Sequence, residues 1–319
     1  MAKLSMTVIT KDYDYLTPLL IGEVTVADID LRIDSKRLIT AVTEDPSVPG
    51  GEYSFSRSLI LWSQGERSFV PIPFFCYRAF RQRCFFVKRG SALRELTELS
   101  GKRVGTNAWP DTGNTWSRAA LRECGVRIDG IQWWVGAIDE AHPFKGTSGA
   151  EPGYVHVAPQ GRTLKEMLLA GELDALMMPI PPKGFYEPNS PVVRLYPDYR
   201  KVEREYWQRT GIYPGHHIFL LRREIFERNP WVALNIYAAL DESKKLWQAK
   251  RLDLSELTPW ALADIEETMA LFGPDWHTNG LTPNRKMIQA LCDEEVAQGL
   301  VPQPIDPATF FGDFAKATK

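Results

Sequence analysis

Short apolar runs of strand length alternate with longer stretches of helical periodicity along this chain. Residues 4–9, 69–72 and 85–87 are such apolar runs, the second interrupted by Pro71 and Pro73, whereas the segment from Pro230 to about Lys250 has a helical pattern. This alternation is typical of α/β architecture. Because 319 residues exceed what one compact core usually serves, we expect two lobes.

Two glycine turns indicate how the chain is divided. The sequence LSGKRVGT at 99–106 is typical of a helix end, a turn and a new strand, and AGELDALM at 170–177 of a helix, a glycine stop and a buried strand. We expect the chain to cross between lobes just before the first of these sequences. Residues 1–100 and 206–319 then form a first lobe that holds both termini, and residues 101–205 form an inserted second lobe.

Charge and hydropathy exclude several classes of partner. The chain has 38 Lys and Arg against 40 Asp and Glu, without a long block of either sign, so no nucleic-acid or membrane partner is expected. The stretch from Leu4 to Ile9 alternates and stops at Lys11, which predicts a strand and not a signal peptide. We therefore predict a cytoplasmic protein whose anionic ligands are held by local arginines.

The four cysteines are predicted to be reduced thiols in or near the core. Their spacing shows neither CxxC motifs nor close pairing, so neither a zinc knuckle nor a disulfide framework is indicated. No histidine lies near enough in sequence to activate any of them as a nucleophile. They are Cys76, Cys84, Cys124 and Cys292.

The sequence DTGNTW at 111–116 places small N-capping residues, among them Thr112 and Asn114, ahead of a helical pattern. A helix start offers free backbone N–H groups and the positive end of a dipole, which suits a carboxylate or phosphate. A plain capped helix is the alternative. Arg118, in the first turn, is either a further ligand contact or an ordinary exposed arginine.

Four further sequences carry a family resemblance: EYSFS at 52–56, IPFFCYRAFR at 72–81, TGIYPGHH at 210–217 and GLTPNRK at 280–286. In this order they resemble the 4,5-dihydroxyphthalate decarboxylase family over nearly the whole chain. The resemblance implies the type II periplasmic-binding-protein-like fold, an α/β fold of two lobes, each a mixed sheet with flanking helices, and a ligand cleft between them. Gln82 departs from the family's R-x-F-R-H pattern, which puts the accepted ring substituents in doubt.

The resemblance further implies a carboxy-lyase of aromatic-compound catabolism that removes carbon dioxide from a hydroxylated aromatic (di)carboxylate such as 4,5-dihydroxyphthalate. Such a reaction needs a proton donor near the ring carbon, an acceptor for the phenolic proton and cations for the remaining carboxylate. No cofactor is expected, and the family suggests a homo-oligomer. The alternative is a solute-binding protein that captures an aromatic or dicarboxylate anion for a transporter, which would need an export signal.

His217 is the predicted acid/base group, because the start of the return strand faces the cleft in such folds and imidazole titrates near neutrality. Glu52 is predicted to accept the phenolic proton, with a cap of the Ser54 helix start as the alternative. His216 would point the other way along the strand, so it is a weaker candidate for contact with the substrate. The adjacent histidines also leave a divalent metal open, although strand alternation makes joint ligation awkward.

Arginines and hydroxyls are predicted to hold the substrate. Arg78 and Arg81 are three residues apart beside a strand, and a guanidinium fork binds a carboxylate bidentately. A salt bridge between lobes or at the surface is the alternative for either one. Further predicted contacts are Ser54, Ser56, Thr112 and Asn114, which would orient the ring and its oxygens, together with Arg118, His216, Tyr13 and Asp14.

Overall fold

A computed structural model of the protein describes residues 3–144, 146, 147, 149, 151–254 and 258–318. The strands of the described residues are β1 Leu4–Ile9, β2 Ile29–Asp34, β3 Gly50–Ser54, β4 Phe69–Arg78, β5 Phe85–Lys88, β6 Arg103–Thr106, β7 Gln132–Val135, β8 Val155–Val157, β9 Ala175–Met177, β10 Val192–Arg194 and β11 Gly215–Arg222. They form a first sheet of order β2-β1-β3-β11-β4 and a second sheet of order β10-β5-β9-β6-β7-β8. Each sheet and its helices make one lobe, as the sequence predicted.

The α-helices of the described residues are α1 Thr17–Leu20, α2 Ala41–Glu44, α3 Phe55–Ser63, α4 Thr112–Glu123, α5 Leu164–Leu169, α6 Tyr199–Thr210, α7 Arg223–Arg228, α8 Trp231–Leu254, α9 Ala261–Phe272, α10 Leu281–Ala297, α11 Pro307–Phe310 and α12 Gly312–Ala317. Short 3-10 helices cover Asp14–Leu16, Gln82–Cys84, Leu96–Leu99 and Ile128–Gly130. Within the described part of the chain, no helix combines the length and apolar composition that crossing a membrane requires.

The first sheet brings the ends of two parallel strands together. Strand β1 runs parallel to β2 and β3, whereas β11 runs antiparallel to β3 and β4. Gly51 has a φ of 154°, and a Cβ there would lie 2.1 Å from the carbonyl oxygen of Ile9, so glycine is required for this close approach. Side chains that follow the carboxyl ends of β1 and β3 therefore meet at one edge of the sheet.

Strand β4 is longer than predicted, because Pro71 and Pro73 do not interrupt it. It lies at the edge of the first sheet, where a missing proline N–H costs no ladder bond. Its register with β11 shifts on both sides of His217, and the backbone N–H of Phe75 donates to Asn279 Oδ1 at 2.8 Å. Such irregularities redirect side chains beside functional sites.

The chain enters the second sheet earlier than predicted. Strand β5 pairs with β9 and β10 of the second sheet, so the crossing falls between Arg78 and Phe85 and not just before residue 100. The return crossing falls between Arg194 and Gly215, and the predicted limit at 206 lies within α6. We propose that the lobe boundaries follow the sheet to which each strand belongs and not the positions of the glycine turns.

Helix α4 joins the two lobes. It follows β6 of the second sheet, yet Trp116 lies in the same buried apolar cluster as Phe55 and Leu291 of the first lobe. The indole Nε1 of Trp116 donates to the carbonyl oxygen of Gly215 at 2.9 Å. The lobes are therefore in extensive contact along this helix, in addition to the two chain crossings.

Candidate active site

Glu52, in β3, is a fully buried carboxylate with hydrogen-bond donors on both oxygens. Its Oε2 accepts from Thr10 Oγ1 and from the backbone N–H of Lys11, each at 2.9 Å. Its Oε1 accepts from the hydroxyl of Tyr13 at 2.5 Å and also lies in hydrogen-bond contact with Nδ1 of His217. Burial raises the pKa of the Glu52 carboxyl, but His217 and the other donors outweigh burial and lower it below its usual value.

His217 presents one ring nitrogen away from this cluster. Its side chain is 24% exposed, and no described residue bonds its Nε2. Because the ionised Glu52 only accepts, Nδ1 carries the hydrogen, which leaves Nε2 to accept when the ring is neutral and to donate when it is charged. His217 thus has acid/base geometry, whereas the predicted direct contact of Glu52 with a ligand does not suit an enclosed carboxylate.

Three tyrosine rings stack beside the pair. Tyr13 lies between Tyr15, at a centroid distance of 5.5 Å and 10° between planes, and Tyr77, at 6.0 Å and 7°. The Tyr77 ring also lies 5.8 Å from the ring of His217. The Tyr13 hydroxyl, predicted to contact a ligand, instead donates to Glu52.

Asp14, also predicted at the rim of the cleft, lies at the surface. Its side chain is 65% exposed and forms an ion pair with Arg251 at 2.7 Å. An exposed pair of this kind contributes little to binding or stability. The predicted ligand contact of Asp14 therefore has no support in its position.

Arg81 is a buried guanidinium without a carboxylate partner among the described residues. Its Nη2 donates to Nδ1 of His216 at 2.7 Å, its Nη1 to Cys84 Sγ at 3.5 Å, and its buried Nε has no partner. His216 donates in turn from Nε2 to the carbonyl oxygen of Ala79 at 2.8 Å. Burial, followed by the charge of Arg81, lowers the pKa of His216 well below its usual value, so this ring is neutral and positions Arg81.

The guanidinium of Arg81 packs on the first turn of α4. A Cβ at Gly113 would lie 2.4 Å from Nη2 of Arg81, so the two are in direct contact. The free N–H groups of a helix start carry partial positive charge, which repels a cation. The Oδ1 of Asn114 is also buried without a partner, but as an acceptor it suits a hydroxyl donor and not an anion. Asp111, the N-cap residue of α4, is paired with Arg57 at 2.7 Å, and no described carboxylate pairs with Arg81. The guanidinium of Arg81 beside the helix start is therefore a candidate for binding an anion.

Arg78, predicted to anchor the substrate beside Arg81, has a different environment. Its guanidinium donates to the carbonyl oxygens of Tyr213 at 3.0 Å and Thr278 at 2.8 Å, and also to Oδ1 of Asn284. Burial lowers its pKa to about 10, so it remains charged at neutral pH. These acceptors engage Nη1 and Nη2 and tie β4 to the segment before β11, the loop before α10 and the first turn of α10, while Nε is buried without a partner. Engagement of both terminal nitrogens argues against a role as substrate anchor.

Arg118, predicted to reach the cleft from α4, is fully buried. It lies 4.0 Å above the Trp109 ring, its Nε donates to Oε1 of Gln298 at 2.7 Å and its Nη2 to the Trp109 carbonyl oxygen at 2.8 Å. Burial lowers its pKa to about 10. The predicted ligand contact is thus replaced by a contact between α4 and the end of α10.

The hydroxyl groups that were predicted to orient the substrate ring instead form hydrogen bonds with one another across the two lobes. Ser54 Oγ lies 2.8 Å from Oγ1 of Thr112, which also accepts from the backbone N–H of Ser56 at 2.9 Å. Ser56 Oγ contacts Thr115 Oγ1 at 3.0 Å and donates to Glu295. These residues are all buried, and together they join the starts of α3 and α4.

Glu295, which lies in this hydroxyl cluster, should make the free energy of unfolding depend on pH. Burial raises the pKa of its carboxyl from 4.5 to about 7, so between these values the unfolded chain releases a proton that the folded protein keeps. Stability therefore falls as pH rises through this window and is lowest above it. We expect Glu295→Gln to be more stable than the unsubstituted protein by about 1 to 3 kcal/mol at pH 8 and equal to it near pH 4.5.

Urea unfolding between pH 4.5 and 8.5 measures this difference. Glu227→Gln is the matched control, since that side chain is 63% exposed and its neutralisation should leave the pH dependence unchanged. Parallel stability curves for Glu295→Gln and the unsubstituted protein would contradict the prediction.

Three residues of the site, Thr10, Tyr77 and Gly113, are not among those predicted from the sequence. Thr10 follows the first strand, and the rule that parallel strands direct ligands to their carboxyl ends could have indicated it. Tyr77 lies opposite His217 in the register of β4 and β11, which depends on the irregular pairing. Gly113 matters only because Arg81, in the crossing between β4 and β5, approaches it.

The alternative of a shared metal at the adjacent histidines does not suit their contacts. Both ring nitrogens of His216 are bonded, to Arg81 and to the carbonyl oxygen of Ala79. Across the described ranges, no group of three or more His, Cys, Asp or Glu side chains is arranged to hold a metal ion.

Comparison with solved structures identifies the fold. The periplasmic aliphatic sulphonate binding protein SsuA from Escherichia coli superposes with a TM-score of 0.55 at 15% identity, covering 98% of this chain and 91% of that one. The alkanesulfonate-binding protein SsuA from Xanthomonas axonopodis pv. citri, bound to MOPS, superposes with a TM-score of 0.52 at 15% identity, covering 97% of this chain and 98% of that one. The predicted periplasmic-binding-protein-like fold is confirmed.

Two curated relatives indicate more than the fold. The 4,5-dihydroxyphthalate decarboxylase of Comamonas testosteroni is 27% identical over 321 residues, which cover 98% of this chain and 97% of the relative. The 4,5-dihydroxyphthalate decarboxylase of Pseudomonas putida is 28% identical over 204 residues, which cover 62% of this chain and 79% of the relative. No family model matches the chain. The predicted resemblance is confirmed: the chain is a relative of 4,5-dihydroxyphthalate decarboxylases, enzymes of the carboxy-lyase class, over nearly its whole length.

Proposed function

We propose that the protein is a non-oxidative decarboxylase of a hydroxylated aromatic dicarboxylate, with 4,5-dihydroxyphthalate as the first substrate to test. The observation that carries the proposal is the pair of Glu52 and His217, in which a buried carboxylate orients a partly exposed imidazole. The full-length relationship to enzymes of this name supports it.

In the proposed reaction, the imidazolium of His217 donates one proton to the substrate. A ring hydroxyl para or ortho to the leaving carboxylate loses its proton to solvent water, and the phenolate pushes electrons to the ring carbon, which takes a proton from Nε2 of His217. The bond between the ring carbon and the carboxylate then breaks. Carbon dioxide leaves, and the electron pair of the broken bond stays on the ring and restores its aromaticity. The phenolate oxygen and His217 then regain protons. Glu52 stabilises the imidazolium throughout, because its charge lies against Nδ1.

Arg81 is proposed to hold the carboxylate that remains. It is 4% exposed, it lacks a carboxylate partner among the described residues, and it lies against the start of α4. A buried unpaired cation is costly, so an arriving carboxylate relieves this cost as well as forming charge-assisted hydrogen bonds. Thr112 of α4 contacts Ser54, and Ser54 is the strand neighbour of His217 in the pairing of β3 with β11. These contacts connect the helix start beside Arg81 with the strand position of His217.

The test is turnover of defined aromatic acids by the purified protein. We expect carbon dioxide release from 4,5-dihydroxyphthalate and no release from phthalate, which lacks the ring hydroxyls that supply electrons. Parallel reactions with a chelator test for a metal requirement. Absence of turnover with every hydroxylated dicarboxylate would refute the proposal.

The second candidate is a receptor that binds an anion without converting it. The solved structures of similar fold include two sulphonate-binding proteins, and an anion site at Arg81 would serve capture equally well. Binding of a ligand without turnover would favour this function. A cytoplasmic location and a homo-oligomeric state remain predictions, which cell fractionation and light scattering test directly.

A further inference from the structure

Tyr13 and His217 share one oxygen of Glu52. The Tyr13 hydroxyl donates to Oε1 at 2.5 Å, and Nδ1 of His217 donates to the same atom, whereas Oε2 is occupied by Thr10 and the N–H of Lys11. A carboxylate oxygen that already accepts one strong hydrogen bond has less negative charge to offer a second donor. The phenol therefore competes with the imidazole for the charge of Glu52.

The ring stack keeps Tyr13 in this position. Its ring lies nearly parallel to those of Tyr15 and Tyr77, at 10° and 7°, so the hydroxyl is aimed at Glu52 without freedom to swing away. Burial and the neighbouring carboxylate raise the pKa of Tyr13 well above its usual value, so the hydroxyl keeps its proton and is a permanent donor.

The other titratable groups around the pair do not reproduce this effect. Burial raises the pKa of both Tyr15 and Cys76, which stay neutral, and the Tyr15 hydroxyl donates to the carbonyl oxygen of Cys76 at 2.7 Å and not to Glu52. The surrounding groups are Lys11 after β1, Tyr13 and Tyr15 in the turn that follows, Cys76 and Tyr77 on β4, and His216 on β11 with Arg81 beyond it.

We propose that Tyr13 is a positioning residue that shares Oε1 of Glu52 with His217 and thereby makes the imidazolium a stronger proton donor. Its catalytic consequence rests on the proposed decarboxylase function, because a stronger acid protonates the ring carbon faster. Its electrostatic consequence does not, because it concerns the titration of His217 alone.

The experiment is an NMR titration of the histidine ring signals in Tyr13→Phe, with the His217 signal assigned by its loss in His217→Gln. The ring stack is kept and only the hydroxyl is removed. We expect the His217 midpoint to rise by about half a unit to one unit, because Glu52 then holds the imidazolium more strongly. In the enzyme, kcat at low pH falls about threefold to tenfold, the alkaline limb of the profile moves to higher pH, and KM stays within about twofold.

Tyr15→Phe is the matched control, since it removes a hydroxyl of the same stack that is bonded to a backbone carbonyl. Its His217 midpoint should equal that of the unsubstituted protein. Replacing Tyr13 by 3-fluorotyrosine keeps the hydrogen bond and strengthens the donor, so it should move the midpoint downward. An unmoved midpoint in both Tyr13 variants, or an equal shift in Tyr15→Phe, overturns the proposal. A shifted midpoint without turnover of any substrate leaves it standing and refutes the decarboxylase function instead.

Discussion

Replacing His217 by glutamine is expected to lower kcat for decarboxylation by about three orders of magnitude, within the range that general acid–base catalysis contributes. Glutamine keeps a polar side chain of similar reach but has no proton to exchange near neutral pH. Ligand affinity should change by less than about fivefold, because the proposed anchor is Arg81, which bonds His216 and not His217. Single-turnover kinetics with labelled carboxylate, together with calorimetric binding of phthalate, measure the two quantities separately.

Two further variants test the assignment of roles. Glu52→Gln keeps the shape of the buried side chain but removes its charge, so we expect a smaller loss in kcat of about 10 to 100-fold. His156→Gln is the control, since His156 lies on β8 of the second sheet beside Trp134. A rate for His217→Gln equal to that of His156→Gln would exclude His217 as the proton donor.

Replacing Arg81 by methionine is expected to weaken binding of the substrate by about 100-fold or more, equivalent to roughly 3 kcal/mol for a lost charge-assisted pair. The effect should appear in KM and in the calorimetric Kd, while kcat at saturation falls much less. Methionine fills a similar volume, so packing against α4 is largely kept. Neutral analogues in which an amide replaces the retained carboxylate should bind the two proteins almost equally.

Gly113→Ala tests the same anchor without changing its charge. The added Cβ would lie 2.4 Å from Nη2 of Arg81 and displace the guanidinium, so affinity should fall in the same direction. Arg122→Met is the control, because Arg122 lies on the last turn of α4 and pairs with Glu294, with a side chain 39% exposed. Unchanged affinity in both Arg81→Met and Gly113→Ala would show that the anion binds elsewhere.

The sequence could indicate the position of a candidate residue where that position depends on the strand that carries it, whereas the residue's role stays a prediction. His217 was assigned from the start of the return strand, and the structure gives it an exposed nitrogen beside a buried carboxylate. Arg78 and Arg81 are equivalent in spacing, three residues apart, yet Arg78 donates to two carbonyl oxygens, whereas Arg81 donates to the His216 ring and the Cys84 thiol. Which acceptors surround a guanidinium depends on loops more than 100 residues away, and no local spacing encodes that.

The sequence alone determined the alternation of strands and helices, the inserted lobe and the family resemblance, because these depend on local periodicity and on ordered motifs. Only the tertiary structure decided that Glu52 is enclosed by four donors, that Tyr13 binds it, and that α4 joins the lobes. These contacts link β1, β3, β11 and α4, and the free energy of each depends on burial and on the partners brought by distant segments. Burial of this kind exists only once the chain has folded, so it leaves no local pattern to read.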